Sequence, residues 1–155
     1  MKRYAGILAL VLAASSAHAE TVHGSWKAYK EDGRCHAVTI PSSSAGDIAR
    51  SGPYLAIQNV PSEKIRGSVA IVSGNEGTGE GDVRVEIDGN AIEVLPFKDS
   101  AFAASGRPEA ALVTAMRRGH ELKVEWSLKD GTKASDTYDL SGFSSAKQEI
   151  DANCR

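Results

Sequence analysis

Downstream of residue 19 the side chains able to ligate a metal or pair as nucleophile and base are few: His23, His36 and His120, and the cysteines Cys35 and Cys154. The histidines form no HExxH, no pair at three or four residues and no CxxC, the spacings that bring ligands onto one face. A zinc or copper site would have to be assembled from His23, His36 and an acid across separate segments, so they are read as solvent-facing strand residues. Cys35 and His36 are adjacent. On a strand neighbours point to opposite faces, so His36 is badly placed to activate that thiol. Around Ser144 the run Gly142-Phe-Ser-Ser-Ala lacks the second glycine of a nucleophile elbow. Asp136 and Asp139 lie three apart on a strand pattern and therefore face opposite ways, which excludes a local acid/base pair; Asp136 is expected to accept backbone hydrogen bonds at a bulge. No catalytic, cofactor-binding or metal-ligating set emerges.

The glycine-rich run Gly74-Asn-Glu-Gly-Thr-Gly-Glu-Gly81 is the remaining candidate for chemistry. A phosphate cradle needs such glycines between a strand and a helix whose amides face the anion. Here Asp82 opens another alternating segment, and Glu76, Glu80 and Asp82 would repel an anion. The acids also lack the ordered spacing of a calcium loop. A flexible hairpin connection is expected.

The elements that carry these residues are mostly strands. Period-two alternation runs through the segments around Trp26, Cys35–Ile40, Pro53–Val60 with Leu55, Ile57 and Asn59 on one side, and Ile65–Val72. It continues through Val83–Ile87, Ala91–Phe97, His120–Leu128 and Thr132–Leu140. Asp88-Gly89 and Asp130-Gly131 are strong hairpin signals. The period changes to helical twice. Pro108 suits a first turn, Leu112, Val113 and Met116 follow at helical spacing, and Arg117, Arg118 and Gly119 make a basic end with a stop. Ser141 is expected to cap a last helix in which Phe143, Ala146 and Ile150 share a stripe that reaches Cys154 four residues on. Many short strands and two short helices favour a mainly β fold, a β-sandwich, with an open barrel-like sheet as the alternative.

Met1–Ala19 reads as a cleavable export signal: Lys2 and Arg3, an apolar run, and Ala17-His18-Ala19 as the cleavage site. The run is about 10 to 13 residues, short of the roughly 20 a membrane-spanning helix needs. The mature chain, residues 20–155, is about 136 residues and fits a single domain with one core. Its net charge is about −4, because the signal removes two of the 18 basic residues and none of the 20 acids. That balance argues against nucleic-acid binding, and no later stretch is transmembrane. In an oxidising compartment Cys35 and Cys154 are expected to form one disulfide, closing a loop worth roughly 4 to 5 kcal/mol at most by chain entropy. Trp26, Phe102, Tyr54 and Tyr138 are the aromatics able to build a protein- or glycan-contacting surface; for Tyr138 the favoured reading is a ring packed at a sheet corner with its hydroxyl hydrogen-bonded.

The C-terminal third carries a resemblance. Ala115-Met-Arg-Arg-Gly119, Gly131-Thr132, the stretch DTYDLSGFSSA from Asp136 to Ala146, Ile150-Asp151 and Cys154 are similar to the invasion-associated locus B family of exported Gram-negative proteins, whose members end in a DTYSLxGFxxA segment and a terminal Ala-Cys. Upstream, Gly24-Ser-Trp26, Cys35 and Ser51-Gly-Pro-Tyr54 resemble the family more loosely. Tyr29 stands where many members carry another cysteine, and Gly74–Gly81 replaces an aromatic turn. The resemblance implies an immunoglobulin-like β-sandwich with a periplasmic or envelope location and no established catalytic residues; attachment to the outer membrane is the alternative to a free periplasmic protein. The expectation is an exported, virulence-associated or envelope-maintenance protein that binds an envelope protein or ligand without catalysis, at a surface including Trp26, Tyr54 and Tyr138. The alternative is a hydrolase or metal-dependent periplasmic enzyme using the histidines.

Overall fold

A computed structural model describes residues 19–155; the expected export signal, except for Ala19, lies outside the described residues. Twelve strands run in order: β1 Ala19–His23, β2 Trp26–Glu31, β3 Arg34–Thr39, β4 Ser43–Gly46, β5 Tyr54–Val60, β6 Ile65–Val72, β7 Asp82–Ile87, β8 Asn90–Ile92, β9 Leu95–Phe97, β10 Ser100–Phe102, β11 Glu121–Ser127 and β12 Lys133–Asp139. Helix α1, Arg107–Arg118, separates β10 from β11, and α2, Phe143–Asn153, follows β12. A seven-stranded sheet has the order β1-β2-β3-β5-β6-β10-β9 and a five-stranded sheet the order β4-β12-β11-β7-β8. All pairings are antiparallel. The fold is thus a mainly β sandwich with two short helices, as expected.

Alternation places the core. Cys35 and Ala37 on β3, Leu55 and Ile57 on β5, Val69 and Ile71 on β6, and Leu122, Val124 and Trp126 on β11 are buried in a single cluster with Leu112, Met116, Phe143, Ala146 and Ile150 from the helices. The hairpin at Asp88-Gly89 has positive φ at both residues, 49° and 80°, the requirement of a type I′ turn. The Asp88 carboxylate also accepts the backbone N–H of His120 and of Glu121, each at 3.0 Å, tying the turn to β11. These bonds hold the Asp88 carboxyl below the usual carboxylate range.

Four expectations change. Gly74–Gly81 is not a hairpin: a 3₁₀ turn at Glu76–Glu80 carries the chain from β6 in one sheet to β7 in the other. Thr78 is buried there, its hydroxyl 2.7 Å from that of Ser73, so the run is packed. Ala91–Phe97 is not one strand: β8 pairs β7, and β9 then pairs β10 in the other sheet. Ser141 does not cap α2; the cap position is Gly142, at φ 90°. Two backbones meet too closely there for a side chain, since a Cβ on Gly142 would sit 1.9 Å from the His23 carbonyl oxygen. Finally, buried Asp136 accepts side-chain bonds: it pairs with the Arg50 guanidinium and takes the Ser44 hydroxyl at 2.6 Å.

Two of the segments that carry the resemblance, Gly24–Trp26 and Asp136–Ala146, meet. Ser25 N–H donates to the Ser141 carbonyl at 3.1 Å, the Ser25 hydroxyl reaches Asp139 at 2.6 Å, and the Trp26 and Phe143 rings lie 5.0 Å apart. Cys154 is bonded to Cys35 as expected, with Cα atoms 5.8 Å apart. Beside it Asn59 donates to Asp151 at 2.9 Å and accepts from Gly67 N–H at 2.8 Å, fixing the end of α2 to β5 and β6.

Candidate functional site

The expected contact surface of Trp26, Tyr54 and Tyr138 does not form. Trp26 and Tyr138 are fully buried, because each falls on the inward phase of its strand, and Tyr54 alone is exposed. The Tyr138 hydroxyl, expected to be hydrogen-bonded, has no partner among the described residues. Burial, with the nearby Asp136 charge, pushes its ionisation far above the ordinary range.

The three histidines go to three places. His23 pairs with Glu149 of α2. His120 is exposed beside Asp88 at 3.4 Å. His36 stands on the outer face of β3 and stacks on Tyr29 of β2, ring centroids 5.0 Å apart and 19° from parallel. No group of three His, Cys, Asp or Glu that could hold a metal occurs among the described residues.

His36 opens onto the feature that the sequence reading missed. On the outer face of the seven-stranded sheet an open groove of about 450 Å³ is lined by Glu31, Arg34, His36, Val38, Tyr54, Ala56, Gln58, Ser68 and Ala70. Register builds it row by row. Tyr29, His36, Gln58 and Ser68 stand side by side across β2, β3, β5 and β6, and Val38, Ala56 and Ala70 form the next row. Tyr54 begins the row beyond, opposite Val72. Glu31 and Arg34 face each other at the opposite rim, 3.4 Å apart. Small alanines flanked by rings make the concavity, and polarity falls along the strands from an ion pair through imidazole, amide and hydroxyl to aliphatic and phenol groups.

Burial lowers the His36 pKa; Glu31 opposes this and Arg34 adds to it, so the ring is neutral at neutral pH. Its Nδ1 is buried and has no hydrogen-bond partner among the described residues. Ser68, the hydroxyl in the same row, is two strands away, about 10 Å by strand spacing and beyond the reach of a nucleophile–base bond. The arrangement therefore has the means to bind: ring surfaces, an amide and a hydroxyl that donate and accept, and little free charge. The signal was present in the outward positions His36-Val38, Tyr54-Ala56-Gln58 and Ser68-Ala70, none of them charged, where a solvated face would carry Lys and Glu.

No family model matches the chain, and no curated protein or solved structure matches it either. Among the described residues no helix is long and apolar enough to cross a membrane.

Proposed function

We propose that this is an exported envelope protein that acts by binding rather than by turnover, and that the groove over His36, Gln58, Ser68, Ala56 and Tyr54 is its contact surface. The observation that carries the reading is a concave, uncharged floor on a sheet face that no other layer of the described residues covers. The Cys35–Cys154 bond suits an oxidising compartment, and the signal-like start and the resemblance of Asp136–Ala146 to the invasion-associated locus B family support the same location. The role that fits is envelope upkeep or contact with a host surface, from the periplasm or the outer membrane.

The test is a photo-crosslinking side chain placed in living cells at Gln58 or Tyr54 in the groove, and at Lys123 or Glu125 on the other sheet. Discrete adducts from the groove positions and none from the other two are expected. Equal adduct patterns from both sheets, or none from the groove, would overturn the reading.

A further inference from the structure

Resting on that binding reading, we propose that the groove takes a segment of a neutral oligosaccharide. The argument is one of matched chemistry. A sugar ring presents hydroxyls, each both donor and acceptor, around C–H faces that pack on aromatic and aliphatic surface. The groups in the middle of the groove have the same dual character: the Gln58 amide, the Ser68 hydroxyl and an imidazole can each donate and accept. Val38, Ala56, Ala70 and the exposed Tyr54 ring supply the surface for the C–H faces.

Charge narrows the class. Of the groups lining the groove only Glu31 and Arg34 are ionic, and they face each other as a pair at one rim. Lys27, next to Val38 in register, is held by Glu20 at 3.0 Å. A sulfated or uronic-acid chain would therefore meet no unpaired cation, and an amino sugar no unpaired carboxylate. Topology disfavours a peptide. Strand addition needs a free sheet edge, and the groove lies over β3, β5 and β6, each hydrogen-bonded on both sides. The volume falls within the roughly 300–1,000 Å³ of small-ligand sites. A groove that is open suits part of a longer chain.

An array of neutral, amino, sulfated and uronic-acid oligosaccharides, its neutral arm holding both bacterial polysaccharide repeats and animal cell-surface glycans, is probed with the mature protein. Neutral members from one of those two sources are expected to bind, which identifies the source. The best tetrasaccharide should perturb the amide signals of His36, Ala56, Gln58 and Ala70. Tyr54→Ala and Gln58→Ala should each weaken it at least tenfold without moving the melting temperature. Binding confined to charged glycans, or saturation of the groove by an extended decapeptide with no neutral glycan bound, would overturn the ligand class and leave the contact surface standing. No groove perturbation by any glycan or peptide, together with no adducts from Gln58 and Tyr54 in cells, would overturn both.

Discussion

Inward from the seven-stranded sheet, Ala37, Leu55, Ile57, Val69 and Ile71 are no more than 1% exposed, sealed under the helices and the second sheet. Outward, their chain neighbours His36, Val38, Ala56, Gln58, Ser68 and Ala70 are half-buried, with no layer of the described residues above them. The outer face of the five-stranded sheet shows the ordinary alternative. There Lys123 stands opposite Glu86 and Glu125 opposite Arg84 in register, with Lys123 paired to Glu121 and Lys133 to Glu125, charges of both signs on a solvated surface. The same alternation thus yields three kinds of face; both outward ones carry a groove, of about 450 and about 330 Å³, and only that of the seven-stranded sheet has an uncharged floor. Substitutions should separate stability, carried inside, from recognition, carried on that one outer face.

The sharpest break falls on the inner side of the five-stranded sheet, at Asp136. Its ion pair with Arg50 joins β12 to the segment that crosses from β4 to β5, and both side chains are removed from solvent. Asp136→Ala leaves a buried guanidinium without its partner, a loss of about 3–5 kcal/mol. Chemical denaturation measures it, and a loss below about 1 kcal/mol would show that the pair does not hold the sheets together.

Next is Cys154→Ser. The bond links residues 119 apart in sequence and ties the end of α2 to β3. Its removal should cost about 2–4 kcal/mol, below the chain-entropy ceiling because the unfolded chain is never fully random. Non-reducing melts of wild type and variant check this, and crosslinking from Gln58 should survive at temperatures where the variant is folded. Loss of adducts in a folded variant would mean that inner and outer faces are coupled.

These two features show where the sequence was legible. Two cysteines leave one intramolecular pairing, and the Phe143, Ala146, Ile150 stripe leads directly to the thiol. Asp136 was legible only as structural: its partner Arg50 lies 86 residues away in an irregular segment, which no local period reveals. Residue type admits Trp26 and Tyr138 to a contact surface, and strand phase decides for burial; the packed ring favoured for Tyr138 is found, without its hydroxyl bond. The groove was missed because it needs the register of four strands at once. Alternation says which residues point outward, and only the pairing of His36 with Gln58 and of Gln58 with Ser68 makes them neighbours.

A smaller effect distinguishes the faces by pH. The folded protein resists protonating His36, so as pH falls through about 6.5 the unfolded chain takes a proton that the folded one refuses, and stability declines. The carboxylates act lower. Asp139, held below its usual range by the Ser25 hydroxyl and the Ser141 amide, and Glu149, held there by His23, add stability above the ordinary carboxylate range that is lost as pH falls through their folded values. Acid unfolding should therefore show an upper, outer-face step and a lower step. In a melting series from pH 8 to pH 3, His36→Gln should remove the upper step alone; an unchanged profile would mean that His36 does not sense the fold.

The smallest expected change in stability is also the most diagnostic of the comparison. Gln58 lies between Ile57 and Asn59, both wholly buried, yet its own side chain faces the groove, and among the described residues it makes no side-chain hydrogen bond. Gln58→Ala should alter unfolding free energy by no more than about 0.5 kcal/mol, as for a surface position away from caps and buried networks. A loss of 2 kcal/mol or more would place Gln58 among the structural residues and make the groove a by-product of packing. Near-neutrality leaves the amide, set between the His36 ring and the Ser68 hydroxyl, without a structural role, and a contact with something outside the chain then accounts for it.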